Sequence, residues 1–288
     1  MQGKIIKGIG GFYYVHDGHG SVTECKAKGA FRNQAVKPLV GDDVSFTLLD
    51  EPGKGRIDEL LPRRSELIRP AVANADTALI LVTAGKPAFH PMLLDLFLLW
   101  MARQSLPTVI GIGKSDLGGD ISAIRDIYER AGYTVRVFSA VSGEGLDQIR
   151  SLLRGKTTVL AGASGVGKST LLNALIPEAA METGTLSRKL GRGRHTTRHS
   201  ELFYLEENSF LFDTPGFTSL SAPDMAPEEV KDYYPEFDNL GPCAYDDCMH
   251  LKEPGCAVKD ALEAGLIAPS RYESYSRIVS DLRSRQRY

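Results

Sequence analysis

The chain has 288 residues, enough for two or three domains, and 42% of them are apolar, which supports a sizeable core. A formal net charge of -2 excludes a uniformly basic protein, so any contact with nucleic acid must come from local basic patches. The N-terminus lacks the apolar run of a signal peptide, and the most apolar stretch, residues 92–102, is short and interrupted by Asp95. We expect a buried helix there and a cytoplasmic protein without a membrane segment.

Residues 1–69 contain short alternating runs, such as residues 11–15 and 43–48, separated by Gly, Asp and Pro turn signals. This spacing predicts a small β-barrel, for which the OB-fold is a candidate. Basic and aromatic side chains are interleaved here, which suits RNA binding and equally suits a solvated face over core aromatics. They are Lys26, Lys28, Arg32, Lys37, Arg63, Arg64, Phe12, Tyr13, Tyr14 and Phe31.

From residue 74 onward, apolar strands alternate with helices, which is typical of an α/β fold with a doubly wound, mostly parallel sheet. The expected strands are residues 77–83, 107–112, 133–138, 157–161 and the run ending at Asp213. The expected helices are residues 92–104, 121–131, 146–153 and 169–175, with a further helical segment at the C-terminus. The predicted domains are residues 1–69, 70–220 and 221–288.

Residues 162–169, GASGVGKS, match the phosphate-loop pattern G-x-x-x-x-G-K-[ST] between a predicted strand and a predicted helix. Glycines let the backbone turn tightly, so that its N–H groups converge on phosphate oxygens. Lys168 would reach the β- and γ-phosphates, and the Ser169 hydroxyl would bind Mg²⁺. The pattern arises by chance in only about 1–2% of chains of this length, so we interpret it as a nucleotide site.

The apolar strand after residue 209 ends in D-x-x-G, where Asp213 would hold Mg²⁺ through water and the Gly216 N–H would meet the γ-phosphate. Between this motif and the phosphate loop lies a basic segment, residues 191–198, that could close over Mg²⁺ as a switch. We favour Thr197 as its Mg²⁺ ligand, although Thr196 fits as well. A flexible basic loop is also compatible with this segment.

Base selection is predicted upstream, in residues 113–116, GKSD, at the end of an apolar strand. Asp116 can accept two hydrogen bonds from guanine N1 and N2, whereas adenine would leave this carboxylate unpaired. The stem of Lys114 can pack on the base. After the next strand, Ser139 and Ala140 offer a backbone N–H to guanine O6. The base motif therefore precedes the phosphate loop, which is a circularly permuted order for a GTPase.

Three cysteines and a histidine follow the spacing C-x4-C-x-H-x5-C near the C-terminus. They are Cys243, Cys248, His250 and Cys256. Structural Zn²⁺ takes such a set in tetrahedral geometry, with no open position for catalysis. We therefore expect one structural Zn²⁺ that supports folding, with free buried thiols as the alternative. Cys25 is distant in sequence and is expected in the core.

The motif order and the flanking segments resemble the circularly permuted, small-subunit-dependent ribosomal GTPases of the RsgA (YjeQ/YloQ) family over essentially the full chain. The supporting stretches are residues 38–42, 69–70 with 74–76, 162–169, 193–197, 213–217 and the cysteine cluster. The resemblance implies an N-terminal OB domain that binds RNA, a permuted P-loop GTPase domain and a C-terminal zinc-binding helical domain. It also implies GTP hydrolysis with Mg²⁺, stimulated by the small (30S) ribosomal subunit and its 16S rRNA during late assembly.

Gly113 departs from the family, which has Asn at this place, where the amide bonds the base and ties the base loop to the phosphate loop. Its loss should weaken guanine binding by about 1–3 kcal/mol if no other group replaces its bonds. The expected GTP- and GDP-binding residues are Gly113, Lys114, Ser115, Asp116, Ser139, Ala140, Gly162, Ala163, Ser164, Gly165, Val166, Gly167, Lys168, Ser169, Thr170, Thr196, Thr197, Asp213 and Gly216.

Phe217 follows the D-x-x-G motif and cannot orient water as the Gln of Ras-type enzymes does, so intrinsic turnover should be slow. In the resembled family a histidine at the place of His195 is the proposed catalytic group, which suits its proton chemistry near neutral pH. An ordinary exposed loop histidine is the alternative. The expected catalytic residues are His195, Lys168 and Thr197, and the expected Mg²⁺ ligands are Ser169, Thr197 and Asp213.

Basic side chains near the switch and in the final helix could meet ribosomal RNA phosphates, although a basic tail can also be merely solvated. They are Arg188, Lys189, Arg192, Arg194, Arg198, Arg277, Arg283, Arg285 and Arg287. We expect the protein to be a monomer. Two other functions stay open. One is a P-loop ATPase or nucleotide kinase, which Asp116 argues against, and the other is a nucleotide-gated RNA-binding module with negligible hydrolysis.

We predict that His195→Ala abolishes the subunit-stimulated rate of GTP hydrolysis and leaves nucleotide binding intact, because the imidazole is expected to act on water and not on the nucleotide. Phosphate release with and without purified small ribosomal subunits measures the rate, and nucleotide affinity serves as the control. Unchanged stimulation in the variant would reject this role.

Overall fold

The computed structural model describes residues 1–28, 37–68, 71–176, 201–214 and 220–285. Within this part of the chain, no helix is long and apolar enough to cross a membrane.

Five strands close into an N-terminal barrel in the order β1–β2–β3–β5–β4. They are β1 (Gln2–Ile9), β2 (Phe12–His16), β3 (Val22–Ala27), β4 (Asp43–Leu48) and β5 (Lys54–Leu60). Neighbouring strands are antiparallel except β3 and β5, which are parallel. Because side chains alternate across a strand, one face of each strand fills the interior, with Ile5, Val15, Cys25, Val44, Phe46 and Ile57. The predicted barrel and the core position of Cys25 are confirmed.

An ion pair connects the segment before β4 with the segment after β5. The fully buried Asp42 accepts hydrogen bonds from Arg63 Nε and Nη2 at 2.7 and 2.8 Å and from the Leu39 backbone N–H at 2.7 Å. The fork geometry suits a guanidinium and a carboxylate, and such paired hydrogen bonds are strong. Arg63 is therefore a structural residue, although its sequence context also fits a cation that faces RNA. Two short strands, β6 (Glu66–Leu67) and β7 (Val72–Ala73), pair antiparallel immediately after it.

Six further strands form a second sheet in the order β10–β9–β8–β11–β13–β12. They are β8 (Thr77–Thr83), β9 (Thr108–Gly113), β10 (Thr134–Val137), β11 (Thr157–Gly162), β12 (Leu202–Tyr204) and β13 (Phe210–Asp213). The pairs β9–β10 and β11–β13 are parallel, and β12 is antiparallel to β13. The helices between them are α1 (Pro91–Arg103), α2 (Ile121–Arg130), α3 (Leu146–Leu153) and α4 (Lys168–Leu175). These elements confirm the predicted alternation, with ends shifted by one residue or so.

Local chemistry explains several of these elements. Strand β11 is buried along its whole length, as expected for an apolar run covered on both faces of a parallel sheet. Helix α2 begins after Asp120, whose carboxylate accepts the Ala123 backbone N–H at 3.0 Å as an N-cap. At the other end of a helix, Arg150 donates to the last carbonyls of α4, where a cation is favourable.

By Cα packing the chain divides into two compact units, which we describe separately. The first unit consists of residues 1–79, 140–161 and 167–216, and the second consists of residues 80–139, 162–166 and 217–288. The domain boundaries predicted from the sequence, after residues 69 and 220, stay predictions.

The C-terminal part of the second unit is helical, as predicted. It contains 3₁₀ turns at Pro227–Tyr233 and Pro235–Phe237, followed by helices α5 (Ala257–Glu263) and α6 (Pro269–Arg285). Apolar side chains from α6, α1 and the first turn share one buried cluster, including Tyr275, Ile278, Val279, Leu282, Leu96, Leu99 and Val230. This cluster packs α6 against α1.

A buried charge cluster lies in the same region. Arg271 of α6, only 1% exposed, donates through Nη1 to Asp95 of α1 and through Nε and Nη2 to Glu236 at 2.6 and 3.0 Å. The Tyr128 hydroxyl also donates to Asp95, at 2.9 Å, and the guanidinium carbon lies 4.4 Å from the Tyr234 ring centre. Burial raises the pKa of Asp95, and the charge of Arg271 counteracts this effect. The acid that interrupts the apolar helix is therefore one half of an internal ion pair.

We predict that Arg271→Met lowers the free energy of unfolding by about 3–5 kcal/mol, because it leaves two carboxylates buried without their cation. Urea denaturation would measure the change. The matched control is Arg125→Met, which removes an exposed pair with Glu129 on helix α2 and should cost about 0.5 kcal/mol or less. Equal effects of the two substitutions would contradict the predicted role of Arg271.

Candidate nucleotide-binding site and metal centre

The phosphate loop follows strand β11, and its glycines adopt conformations that other residues avoid. Gly162, Gly165 and Gly167 have φ angles of +145°, +77° and +112°. At Gly162 a Cβ would lie 2.5 Å from the carbonyl oxygen of Leu81, so any side chain there would collide with the backbone. Steric constraint and backbone angle together require glycine here, and they produce the tight turn that a phosphate-binding loop needs.

Helix α4 begins at Lys168, which is 8% exposed. Burial lowers the pKa of Lys168, and the negative charge of Asp213 opposes this shift. Asp213 is the last residue of β13 and lies opposite Leu160 in the parallel register with β11. The Thr214 backbone N–H and hydroxyl both donate to the Leu160 carbonyl, at 3.2 and 2.8 Å. The Lys168 ammonium and the Asp213 carboxylate, both predicted to serve the phosphate subsite, are therefore close enough to influence each other electrostatically.

The predicted base loop begins at the carboxyl end of β9. Lys114 has a φ angle of +60°, which is uncommon for a residue with a side chain. Its Nζ donates to the Lys86 carbonyl at 2.6 Å and to the Gly165 carbonyl of the phosphate loop at 2.9 Å. Sequence reasoning assigned only the aliphatic stem of Lys114, but its ammonium also ties the base loop to the phosphate loop.

Asp116, the residue predicted to select the base, is held by a neighbouring hydroxyl. Ser139 Oγ donates to Asp116 Oδ1 at 2.5 Å, and Ser139 is fully buried whereas Asp116 is exposed. The bond fixes the carboxylate from one side and leaves it open to solvent on the other. Sequence reasoning assigned Ser139 only a backbone contact and missed this hydroxyl, although a serine at that position is the signal that could have revealed it.

Phe138 is a second residue that sequence reasoning missed. It is 2% exposed, and its ring lies against Gly113 at the start of the base loop. No motif pattern pointed to it, because an apolar residue at the end of a strand is ordinarily interpreted as core.

Several predicted residues lie outside the described part of the chain. For the nucleotide site they are His195, Thr196, Thr197, Gly216 and Phe217, and for RNA contact they are Arg188, Lys189, Arg192, Arg194, Arg198, Arg287, Phe31 and Arg32. Their roles stay predictions.

The four predicted metal ligands come together. The donor atoms of Cys243, Cys248, His250 and Cys256 all lie within 4.8 Å of one another. His250 Nδ1 is 3.3 Å from Cys256 Sγ and 3.6 Å from Cys243 Sγ. Ligands of tetrahedral Zn²⁺ are separated by about 3.3–3.8 Å, given Zn–N and Zn–S distances near 2.0–2.3 Å. The donor set therefore fits Zn²⁺, and the two distances from His250 to the cysteine sulfurs match its tetrahedral spacing.

Two tyrosines of helix α6 hold the loop that carries the predicted metal ligands (residues 243–256, called the metal loop below). The Tyr272 hydroxyl donates to the His250 carbonyl and the Tyr275 hydroxyl donates to the Met249 carbonyl, each at 2.7 Å. His250 has a φ angle of +56°, so its backbone is held in an uncommon conformation by its surroundings. These bonds orient one ligand from outside the cluster, as supporting groups do in other metal sites.

On the barrel surface, several predicted RNA-facing cations have partners within the protein. Lys28 pairs with Asp58 at 3.0 Å and Arg64 pairs with Asp76 at 2.6 Å. Lys26 Nζ lies 4.9 Å from the ring centre of the partly exposed Phe12. Among the described residues of the barrel, this cation on an aromatic face has the chemistry on which a nucleic-acid base can stack.

In comparisons with known proteins, two family profiles match most of residues 2–223. The RsgA GTPase family profile matches residues 60–223, and the RsgA N-terminal domain profile matches residues 2–57. A small ribosomal subunit biogenesis GTPase RsgA from Agathobacter rectalis is 45% identical and covers 100% of both chains. Another protein of that name, from Alkaliphilus metalliredigens, is 46% identical over 100% of this chain and 99% of its own.

Two solved structures agree with this assignment. The crystal structure of YjeQ from Thermotoga maritima superposes with a TM-score of 0.80 at 36% identity, covering 98% of both chains. YloQ, described as a circularly permuted GTPase, superposes with a TM-score of 0.79 at 36% identity, covering 99% of this chain and 95% of its own. Since the profiles, the full-length relatives and the fold all coincide, this chain belongs to the RsgA family of circularly permuted GTPases.

Proposed function

We propose that this chain hydrolyses GTP under stimulation by the small ribosomal subunit and acts in the late assembly of that subunit. The observation that carries the proposal is the base loop, in which Ser139 holds Asp116 and Lys114 contacts the phosphate-loop carbonyl of Gly165. Full-length relatives named small ribosomal subunit biogenesis GTPase RsgA support the choice of partner.

The phosphate half of the nucleotide would bind the loop of residues 162–169. Backbone N–H groups of the loop would surround the β-phosphate, and the first turn of α4 would add its N–H groups and the positive end of its dipole. The buried Lys168 would contribute a full charge to the β- and γ-phosphates. Burial lowers the pKa of Lys168 in the protein without nucleotide. The negative charges of a bound polyphosphate would raise this pKa again, because they favour the charged ammonium.

The donor set near Lys168 fits Mg²⁺, which prefers oxygen ligands and usually keeps several waters. The Ser169 hydroxyl follows Lys168 directly, and the charge of Asp213 acts on Lys168. We assign Ser169 as a direct ligand, Asp213 as a ligand through water, and Thr197 as the ligand from the switch segment, with Thr196 as the alternative. When bound, Mg²⁺ would neutralise charge on the β- and γ-phosphates.

Guanine would be selected by Asp116. A carboxylate held by Ser139 presents its oxygens in one orientation, so it can accept the N1 and N2 protons of guanine without losing much entropy. Adenine lacks this pair of donors and would leave the carboxylate unpaired. Lys114 would pack its stem on the base while its ammonium stays on the two loop carbonyls, and Ser139 and Ala140 would offer backbone N–H groups to O6.

Hydrolysis would need help from outside the nucleotide pocket. Phe217 stands where a water-positioning Gln would be useful, so we assign the water-positioning role to His195 in the switch segment. Ordering of that segment on ribosomal RNA would then raise the rate. Lys26 on the barrel and the basic residues of the switch and of α6 would contact the phosphates of 16S rRNA. Phe12, which lies beside Lys26, would offer its ring to a base.

Zn²⁺ would be structural in this protein. Three thiolates and one imidazole fill its tetrahedral coordination, and the loop that carries them is bonded to α6 through Tyr272 and Tyr275. Bound Zn²⁺ would stabilise a loop segment that has little regular structure of its own. We propose that the protein acts as a monomer in the cytoplasm, where ribosomal subunits are assembled.

The deciding experiment is phosphate release from GTP and from ATP, each with and without purified small ribosomal subunits. We predict stimulation with GTP alone. Asp116→Asn should lower kcat/KM for GTP by about 100-fold or more and permit use of XTP, because an amide N–H can donate to the second carbonyl of xanthine. Asp126→Asn, an exposed change on α2, should behave like the unchanged protein.

Other outcomes point to other functions. Equal use of ATP and GTP would reject guanine selection and favour a P-loop enzyme with relaxed base choice. Nucleotide-dependent binding to the subunit without phosphate release would favour a nucleotide-gated RNA-binding module.

We further predict that Cys248→Ser reduces bound zinc from one equivalent per chain to much less, and lowers the melting temperature by at least about 5 °C, because the proposed tetrahedral set loses one of its two buried thiolates. Metal analysis and thermal denaturation would measure both. Cys25→Ala, in the barrel core, is the control that should destabilise the protein while zinc content stays unchanged. An unchanged zinc content in Cys248→Ser would reject the assignment.

A further inference from the structure

The first residue of the base loop, Gly113, lies against an aromatic ring that would crowd a side chain at this position. An added Cβ would lie 3.1 Å from Cζ of Phe138 and 3.6 Å from each of its Cε atoms. Gly113 itself is buried, and so is Phe138. The φ angle of Gly113 is not among the positive ones, so its backbone would accept another residue and only the ring opposes one.

Phe138 also has a central place beneath the base loop. Its backbone carbonyl accepts the Ser115 N–H at 3.2 Å, and its N–H donates to the Ile112 carbonyl at 3.0 Å. The following residue, Ser139, holds Asp116. The ring therefore lies between the strand that leads into the loop and the serine that orients the base-reading carboxylate.

The chemistry at this contact is apolar on both sides. A side chain with an amide at position 113 would meet an aromatic ring that offers no hydrogen bond, and a buried amide without a partner is costly. The glycine and the phenylalanine are thus matched to each other. The base loop is held by packing at this point, and its polar ties include those of Lys114 and Ser139 and the Ser115 N–H bond to the Phe138 carbonyl.

We propose that Phe138 is a positioning residue that sets the affinity for guanine nucleotides: its ring fills the space of a side chain at residue 113, so the base is read without a polar contact from that position. This inference rests on the proposed function and deepens it. Selection of guanine stays with Asp116, while GDP is held more weakly and leaves faster than it would if the ring were absent and a polar residue stood at position 113.

The test is a double-mutant cycle with Gly113→Asn, Phe138→Thr and the double variant. Threonine removes the ring and brings a hydroxyl that can pair with the asparagine amide. We expect no gain in GDP affinity from Gly113→Asn alone and a loss from Phe138→Thr alone. The double variant should bind GDP about threefold to tenfold more tightly than the unchanged protein, the value of one additional hydrogen bond, and should release it correspondingly more slowly.

Two controls separate positioning from simple folding effects. Inorganic tripolyphosphate, used as a competitor, occupies only the phosphate subsite, so its affinity should stay the same across the cycle. Phe138→Leu keeps the space filled with an apolar group, so Gly113→Asn should not be rescued in that background. If Phe138→Thr does not fold, Phe138→Val opens the same space without a polar group and should still let Gly113→Asn bind GDP more tightly than it does beside phenylalanine.

The proposal would be overturned if the change in GDP affinity of the double variant equalled the product of the fold-changes of the two single variants, because the two positions would then act independently. Equal losses for GDP and tripolyphosphate would also overturn it, since these would mark a purely structural role. Failure of the proposed function looks different, because the unchanged protein would then bind ADP as well as GDP before any substitution is made.

Discussion

The buried guanidinium of Arg271 joins three elements of the second unit that are distant in sequence. Its partners are Asp95 on α1 and Glu236 on the 3₁₀ turn, and its own helix is α6. Removing charges from water is costly, and only a complete set of partners makes it tolerable. The packing of α6 on α1 and the position of the turn therefore depend on one another. Through Tyr272 and Tyr275, the same helix also sets the backbone of the metal loop.

The base loop is also held in place by contacts between residues that are distant in sequence. It begins at Gly113, which has no side chain, and the contacts of Lys114 with two carbonyls hold it against the phosphate loop. The Phe138 ring packs on Gly113 at the start of the loop.

Within the first unit, the barrel packs on the hairpin that leads into Asp213. The His16 ring stacks on Tyr204 of β12 with centroids 4.1 Å apart, and Lys7 pairs with Glu201 at 3.0 Å. The Tyr204 hydroxyl donates to the carbonyl of Gly18, at the turn that follows His16. Burial lowers the pKa of His16, consistent with a neutral ring in an aromatic contact. One short strand therefore connects the barrel with the carboxylate proposed to hold Mg²⁺.

The sequence by itself determined the strands, the helices and the motifs, because turn glycines, apolar periodicity and ligand spacing are local properties of the chain. It predicted the phosphate loop, the roles of Asp116 and Asp213 and a metal site formed by three cysteines and a histidine, and its permuted motif order already indicated the family. Only the tertiary structure paired Asp95 with Arg271, bonded Ser139 to Asp116 and placed Phe138 over Gly113. Those contacts join residues far apart in the chain or on different strands, and no local pattern encodes which distant side chain will fill a given space.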